Sequence, residues 1–142
     1  MLLWITKLSI FFLGILYQSP TQLELHMTNS DSNQGLIRIL IFDNEDGFPD
    51  IHQKAKLALS LPIKDFQAQT LLSSLPAGKY AICAFHDEDE NGEINKNFFG
   101  YPTESYGFSN NPKTTFSIPP FEKCLIEIKE GKKNIVTIEL KK

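Results

Sequence analysis

The sequence is short of most features that mark a nucleic-acid binder or a familiar enzyme. Its 14 basic and 17 acidic side chains leave a net charge of −3, so no positive field is available to hold polyphosphate or an anionic bilayer. It has no Gly-x-Ser-x-Gly elbow, no phosphate-binding glycine loop and no Cys-His arrangement with supporting context. His26, His52 and His86 are scattered without ligand spacing, which leaves transition-metal chemistry without a donor set. After residue 22 there is no long 3.6-residue periodicity, no internal repeat and no low-complexity run. Helical bundles, solenoids and disordered chains are thereby excluded. With 142 residues and a hydrophobic fraction of 42%, one packed domain is expected.

Long apolar runs are also scarce, and the main one is N-terminal. A weakly basic start, Met1 to Lys7, precedes Leu8 to Tyr17 (LSIFFLGILY). That run has the length of a signal-peptide core and is short for a spanning helix. No A-x-A pattern follows, but Gln18 to Gln22 is small and polar, so the cut is expected near residues 19–22. Residues 1–21 are thus read as a signal peptide, with an uncleaved membrane anchor as the alternative. No cysteine lies at the junction, which argues against lipoprotein processing. The expected location is exported: periplasmic, outer-envelope or extracellular.

Residues 22–142 are dominated by alternation. Leu23, Leu25 and Met27 alternate with polar neighbours, Gly35 to Phe42 is a more apolar strand, and Leu57 to Ile63 alternates again. Further strands are expected at Phe66–Leu72, Tyr80–His86, Thr114–Ile118, Cys124–Lys129 and Val136–Leu140, the last entered through a hairpin at Glu130-Gly131-Lys132-Lys133. A short helix over Asp50–Ala58 is the only helical expectation. The fold class is all-β, a single antiparallel β-sandwich, immunoglobulin-like or prealbumin-like, of seven or eight strands.

The exception to this compactness is a 27-residue connection, Asp87 to Lys113. Loops that long usually function or need something to hold them. It opens on Asp87-Glu88-Asp89-Glu90-Asn91-Gly92-Glu93-Ile94-Asn95. Asp87, Asp89 and Asn91 stand at the first, third and fifth positions of a calcium loop, with Gly92 at the sharp sixth position. Glu93 would offer its carbonyl, and Asn95 its amide oxygen or a bound water. The twelfth position is Phe98, where an EF-hand needs a bidentate Glu, so this is not an EF-hand. Ca²⁺ takes about six to eight oxygens. Glu104, Asn97 or water must therefore complete the shell, and the expected affinity is weak, on the order of 10⁻⁴–10⁻³ M. A solvated acidic turn held by its own Asx bonds is the competing reading.

Other residues are candidates for lesser roles. Cys83 and Cys124 either form a disulfide or remain separate buried thiols. His86, Glu104, Tyr101, Tyr106, Asn110 and Asn111 are candidate contacts on the loop surface. Aromatics around a polar loop suit a glycan, a peptide or an envelope partner. The alternative reading is that the same aromatics only pin the loop to the sandwich. A non-catalytic module is the primary expectation. A hydrolase using His86 and loop carboxylates, or a purely structural envelope protein, are the rivals.

Five motifs occur in order: Asp46-Gly47-Phe48-Pro49, Leu75-Pro76-x-Gly78-x-Tyr80, His86-Asp87-x-Asp89-x-Asn91-Gly92, Tyr106-Gly107-Phe108-Ser109-Asn110-Asn111 and Pro120-Phe121-Glu122. Over roughly residues 23–142 the chain resembles the bacterial family called domain of unknown function 2141. The resemblance implies an exported, compact β-sandwich and no particular activity. The Leu-Pro-x-Gly-x-Tyr turn is more distantly similar to transthyretin-like and carboxypeptidase-regulatory-like modules. The Tyr-Arg-Gly-Ser signature of hydroxyisourate hydrolases, which share the transthyretin-like fold, is absent, so their chemistry does not carry over.

Overall fold

The computed structural model describes residues 21–113 and 117–142. The expected signal segment therefore lies outside the described residues, apart from Thr21. Eight strands form: β1 (Gln22–Thr28), β2 (Leu36–Phe42), β3 (Leu57–Pro62), β4 (Gln67–Leu72), β5 (Gly78–Asp87), β6 (Tyr106–Phe108), β7 (Leu125–Ile128) and β8 (Lys133–Glu139). One helical turn, α1 (Phe121–Cys124), precedes β7. Three strands pair in the order β4-β1-β8. The second sheet runs β3-β2-β5-β6, with β7 also on β5. Among the described residues, no helix is long and apolar enough to cross a membrane.

Alternation explains the space between the sheets. Leu23, Leu25 and Met27 of β1, Ile37, Ile39 and Ile41 of β2, Tyr80, Ile82 and Ala84 of β5, and Ile138 of β8 meet there, all buried. Each fully buried aliphatic side chain contributes about 1.5–3 kcal/mol. The five-stranded sheet is apolar on its outer face as well. There Leu40, Phe42, Ala81, Cys83 and Phe108 are covered by Phe48, Phe121, Cys124 and Leu125. The ring of Phe48 lies 5.6 Å from Phe42, 5.9 Å from Phe108 and 5.5 Å from Phe121. Three of the ordered motifs thus converge on one aromatic cluster, and the near-continuous apolar run of β2 reflects burial on both faces.

Several expectations are corrected. The helix over Asp50–Ala58 is only a 3₁₀ turn at His52–Lys54, because that segment has no buried residue to support a longer helix. Thr114–Phe116 of one expected strand lie outside the described residues, and Ser117 and Ile118 are not in a strand. Cys124 ends α1 and is not in a strand. The residues 130–133 do not close a hairpin. β7 pairs antiparallel with β5 in one sheet, whereas β8 pairs parallel with β1 in the other. The sandwich is therefore not purely antiparallel. Asn134 makes this crossing possible: its side chain accepts from Lys129 N at 3.0 Å and donates to the carbonyls of Gln22, Lys129 and Lys132 at 3.0–3.1 Å. Those bonds replace the ones a hairpin would supply.

The pairing also fixes the two ends of the sandwich. Leu36 lies opposite both Pro62 and Asp87, and Thr28 lies opposite Gln67. The 29–35 loop, the β3–β4 turn and the start of the long connection consequently share one end. Thr21 sits at the other, its hydroxyl bonded to the Leu75 carbonyl.

Candidate functional site

β5 alternates between its faces to its last residue. His86 points between the sheets and Asp87 to the outer face, and both are fully buried. Asp87 Oδ1 accepts from Asn91 N at 3.0 Å, and Oδ2 accepts from Gly92 N at 2.9 Å. Oδ2 also accepts from Arg38 Nε at 2.7 Å. The carboxylate thus folds the acidic run back onto itself. Gly92 meets the requirement of that turn with φ of +86°, and a Cβ there would touch nothing. Gly35 is more constrained: it has φ of +71°, and a Cβ would lie 2.1 Å from the Asp87 carbonyl oxygen.

Glu104 approaches from the far side of the loop. Buried, it accepts from Glu88 N at 3.0 Å and from Asn95 N at 2.8 Å. Asp87, Asp89 and Glu104 thereby bring one carboxylate oxygen each to within 4.8 Å of one another, close enough to chelate a metal ion. Three carboxylates against the single guanidinium of Arg38 leave two uncompensated negative charges. At that separation the buried Asp87–Glu104 pair repels by at least about 3.5 kcal/mol for an effective dielectric of about 20.

The remaining expected ligands are placed differently. Asn91 Nδ2 and Asn95 Nδ2 donate to Asp89 Oδ2 at 3.1 and 2.9 Å. The Asn95 amide holds the Asp89 carboxyl below the usual carboxylate range. Asn91 Oδ1 accepts from Glu93 N at 2.8 Å, and the Glu93 side chain is exposed outside the cluster.

The distal part of the loop is a tight turn. Lys96 bridges to Pro102, and Asn97 N donates to the Tyr101 carbonyl at 2.8 Å. Asn97 Oδ1 accepts from Phe99 N at 2.9 Å and Tyr101 N at 3.1 Å. Asn97 is thus a cap of the turn. The turn holds Phe98 and Phe99 in an edge-to-face pair at 5.5 Å, 97% and 78% exposed. Thr103 N donates to the Asn95 carbonyl at 2.8 Å, so the turn rests directly on the acidic cluster.

Other candidate contacts prove structural. His86 Nε2 lies 2.8 Å from the Gln34 carbonyl, and Nδ1 accepts from Asp31 N at 3.2 Å. Both ring nitrogens are committed to pinning the 29–35 loop, with the proton on Nε2. Tyr106 is half-buried in β6, packed on Phe108 at 5.9 Å. Asn110 Nδ2 donates to the Lys123 and Leu125 carbonyls at 3.2 and 2.6 Å, and the Asn111 side chain bonds Thr137 O and Glu139 N at 2.8 Å. Through these bonds the two asparagines staple strands. Tyr101 alone of the expected aromatic contacts is exposed.

Cys83 and Cys124 are free, buried thiols in the outer aromatic cluster. Cys83 Sγ donates to the Pro49 carbonyl at 2.8 Å. Burial pushes the Cys83 thiol up to about 12 and that of Cys124 to about 11.

The family model described as "uncharacterized protein conserved in bacteria" (DUF2141) matches residues 25–136. The chain belongs to this family. No curated protein and no solved structure matched the chain. The DUF2141 match spans both sheets, the acidic cluster and the outer aromatic cluster. Sequence reasoning missed Arg38, the partner of Asp87. Its signal was present: it is the only arginine in the chain, and it interrupts an otherwise apolar strand.

Proposed function

We propose that this protein is an exported, non-catalytic binding module whose long loop is ordered by Ca²⁺ at Asp87, Asp89 and Glu104. The observation that carries the reading is the convergence of these three carboxylates with only Arg38 to offset them. Carboxylate and carbonyl oxygens suit a hard cation, and Ca²⁺ tolerates an irregular shell better than Mg²⁺ does. Water and loop oxygens, including those of Asn91, Glu93 and Asn95, would complete it. The ordered loop then presents its distal turn to a glycan, peptide or envelope partner. Export rests on the signal-like segment at residues 1–21.

A purely structural role has one observation in its favour: Asp87 and Glu104 each accept two backbone N–H groups without a cation. A hydrolase reading gains nothing from His86, whose nitrogens are both engaged. The two surviving readings separate in a melting experiment. Millimolar Ca²⁺ raises the melting temperature if the cluster binds it, and Asp89→Ala removes that rise. No response to Ca²⁺ in melting or titration calorimetry leaves only the structural role. Glycan-array screening with and without Ca²⁺ then addresses the partner.

A further inference from the structure

We infer that the end of the sandwich bearing the acidic cluster docks peripherally on a phospholipid surface. The inference rests on the proposed binding module and names its partner. Among the described residues, the exposed aromatic side chains are Phe66, Phe98, Phe99 and Tyr101. All four lie at that one end. Phe66 sits in the β3–β4 turn, where its N–H donates to Asn33 Oδ1 at 2.7 Å and its carbonyl accepts from Ser30 N at 3.1 Å. The same 29–35 loop reaches the acidic run through Ser32 Oγ to Glu88 Oε1 at 2.7 Å.

Two features show that these rings are held outward. The turn at Asn97–Tyr101 satisfies its own backbone and leaves Phe98 97% exposed. Phe66 has φ of +61° and follows Asp65 at +53°. A bulky residue in the left-handed region is a strained choice where Asn or Gly would fit. The fold therefore tolerates strain at a position whose side chain is half in solvent.

The charges beside the rings select the partner. Lys64 lies two residues before Phe66, and Lys96 two before Phe98; both are exposed. Neither forms a salt bridge among the described residues. Each turn thus sets an apolar ring beside an ammonium, while the carboxylates of Asp65, Glu88, Asp89, Glu90 and Glu93 at the same end repel headgroup phosphates until a divalent cation offsets them. With a net charge of −3, attachment is short-range and responds little to salt.

Trp4 is the only tryptophan, so a Trp4→Phe/Phe98→Trp chain carries one local reporter. The probe is vesicles of phosphatidylethanolamine with a minor share of phosphatidylglycerol, in millimolar Ca²⁺. The expected result is a blue-shifted emission quenched by brominated acyl chains. In co-sedimentation, Phe98→Ser/Phe99→Ser binds about tenfold more weakly. Phe66→Asn is expected to raise the melting temperature while weakening binding. An unshifted emission overturns the inference, even if the N-terminal segment alone carries protein to the vesicles. Sedimentation unchanged by Phe98→Ser/Phe99→Ser overturns it too. A Ca²⁺-dependent melting shift without vesicle binding defeats only this inference, and vesicle binding without any Ca²⁺ response defeats only the cation.

Discussion

Replacing Asp87 by Asn preserves the shape of the side chain and removes its charge. The native carboxylate is fully buried and receives Arg38 Nε, Asn91 N and Gly92 N, all within 3.0 Å. An amide offers one acceptor oxygen and turns an NH₂ group toward donors. At least one of the three donors loses its partner. A hydrogen bond to a charged group contributes about 1.5–3 kcal/mol, and breaking a buried ion pair costs about 3–5 kcal/mol. The Arg38 side chain is 21% exposed and can partly rehydrate, which lowers the cost of stranding it. In millimolar Ca²⁺, where the cation of the proposed function offsets the repulsion between Asp87 and Glu104, the expected loss is therefore about 3 kcal/mol, or a melting temperature lower by about 10 °C for a domain of this size. Urea unfolding followed by circular dichroism measures it. A double-mutant cycle with Arg38→Met should give a coupling of about 2 kcal/mol between the two side chains. An Asp87→Asn loss below about 0.5 kcal/mol, or no coupling, would refute the placement of Asp87 as the buried hub of the loop.

Other consequences follow from buried groups. Ser109 Oγ accepts from Ile82 N at 2.9 Å and donates to the Cys124 carbonyl, so Ser109→Ala should cost about 1–3 kcal/mol in chemical denaturation. A cost near zero contradicts that role. The Cys83 thiol, raised by burial from 9.0 to about 12, favours the neutral form in the folded state. Its contribution is fully present below about pH 9 and is lost as pH rises toward 12, so Cys83→Ala should flatten that decline. Correspondingly, native protein at pH 8 should resist alkylation at both cysteines until it is unfolded, and fast labelling would contradict their burial.

Much of the fold was legible because β-strands half-buried in a sandwich write their pattern into every second residue. Leu23, Leu25 and Met27 are an example, and the expected strands that form differ from the observed ones mainly at their ends. Pairing was less legible. The crossing between β7 and β8 is bridged by one asparagine side chain, Asn134, in a segment that otherwise reads as a hairpin. β6 is three residues long and buries its face against a cluster assembled from distant segments, so local alternation could not announce it. At the site, the spacing of Asp87, Asp89 and Asn91 pointed to the loop in which Asp87 and Asp89 meet Glu104, and Glu104 was among the residues expected to complete the shell. Arg38, by contrast, meets Asp87 across a strand pair 49 positions away, a contact that only the register reveals. The structural bonds of Asn110 and Asn111 were not legible, because a polar turn residue looks alike whether it faces solvent or the protein's own backbone.

In the proposed function a cation orders the loop through the acidic cluster. Amide hydrogen exchange of the loop, with chelator and then with millimolar Ca²⁺, tests this at individual residues. The expected result is slower exchange at Asn91, Gly92, Asn95 and Tyr101 with Ca²⁺, and loss of that change in Glu104→Gln. Identical protection in both conditions, in wild type and variant alike, would contradict it.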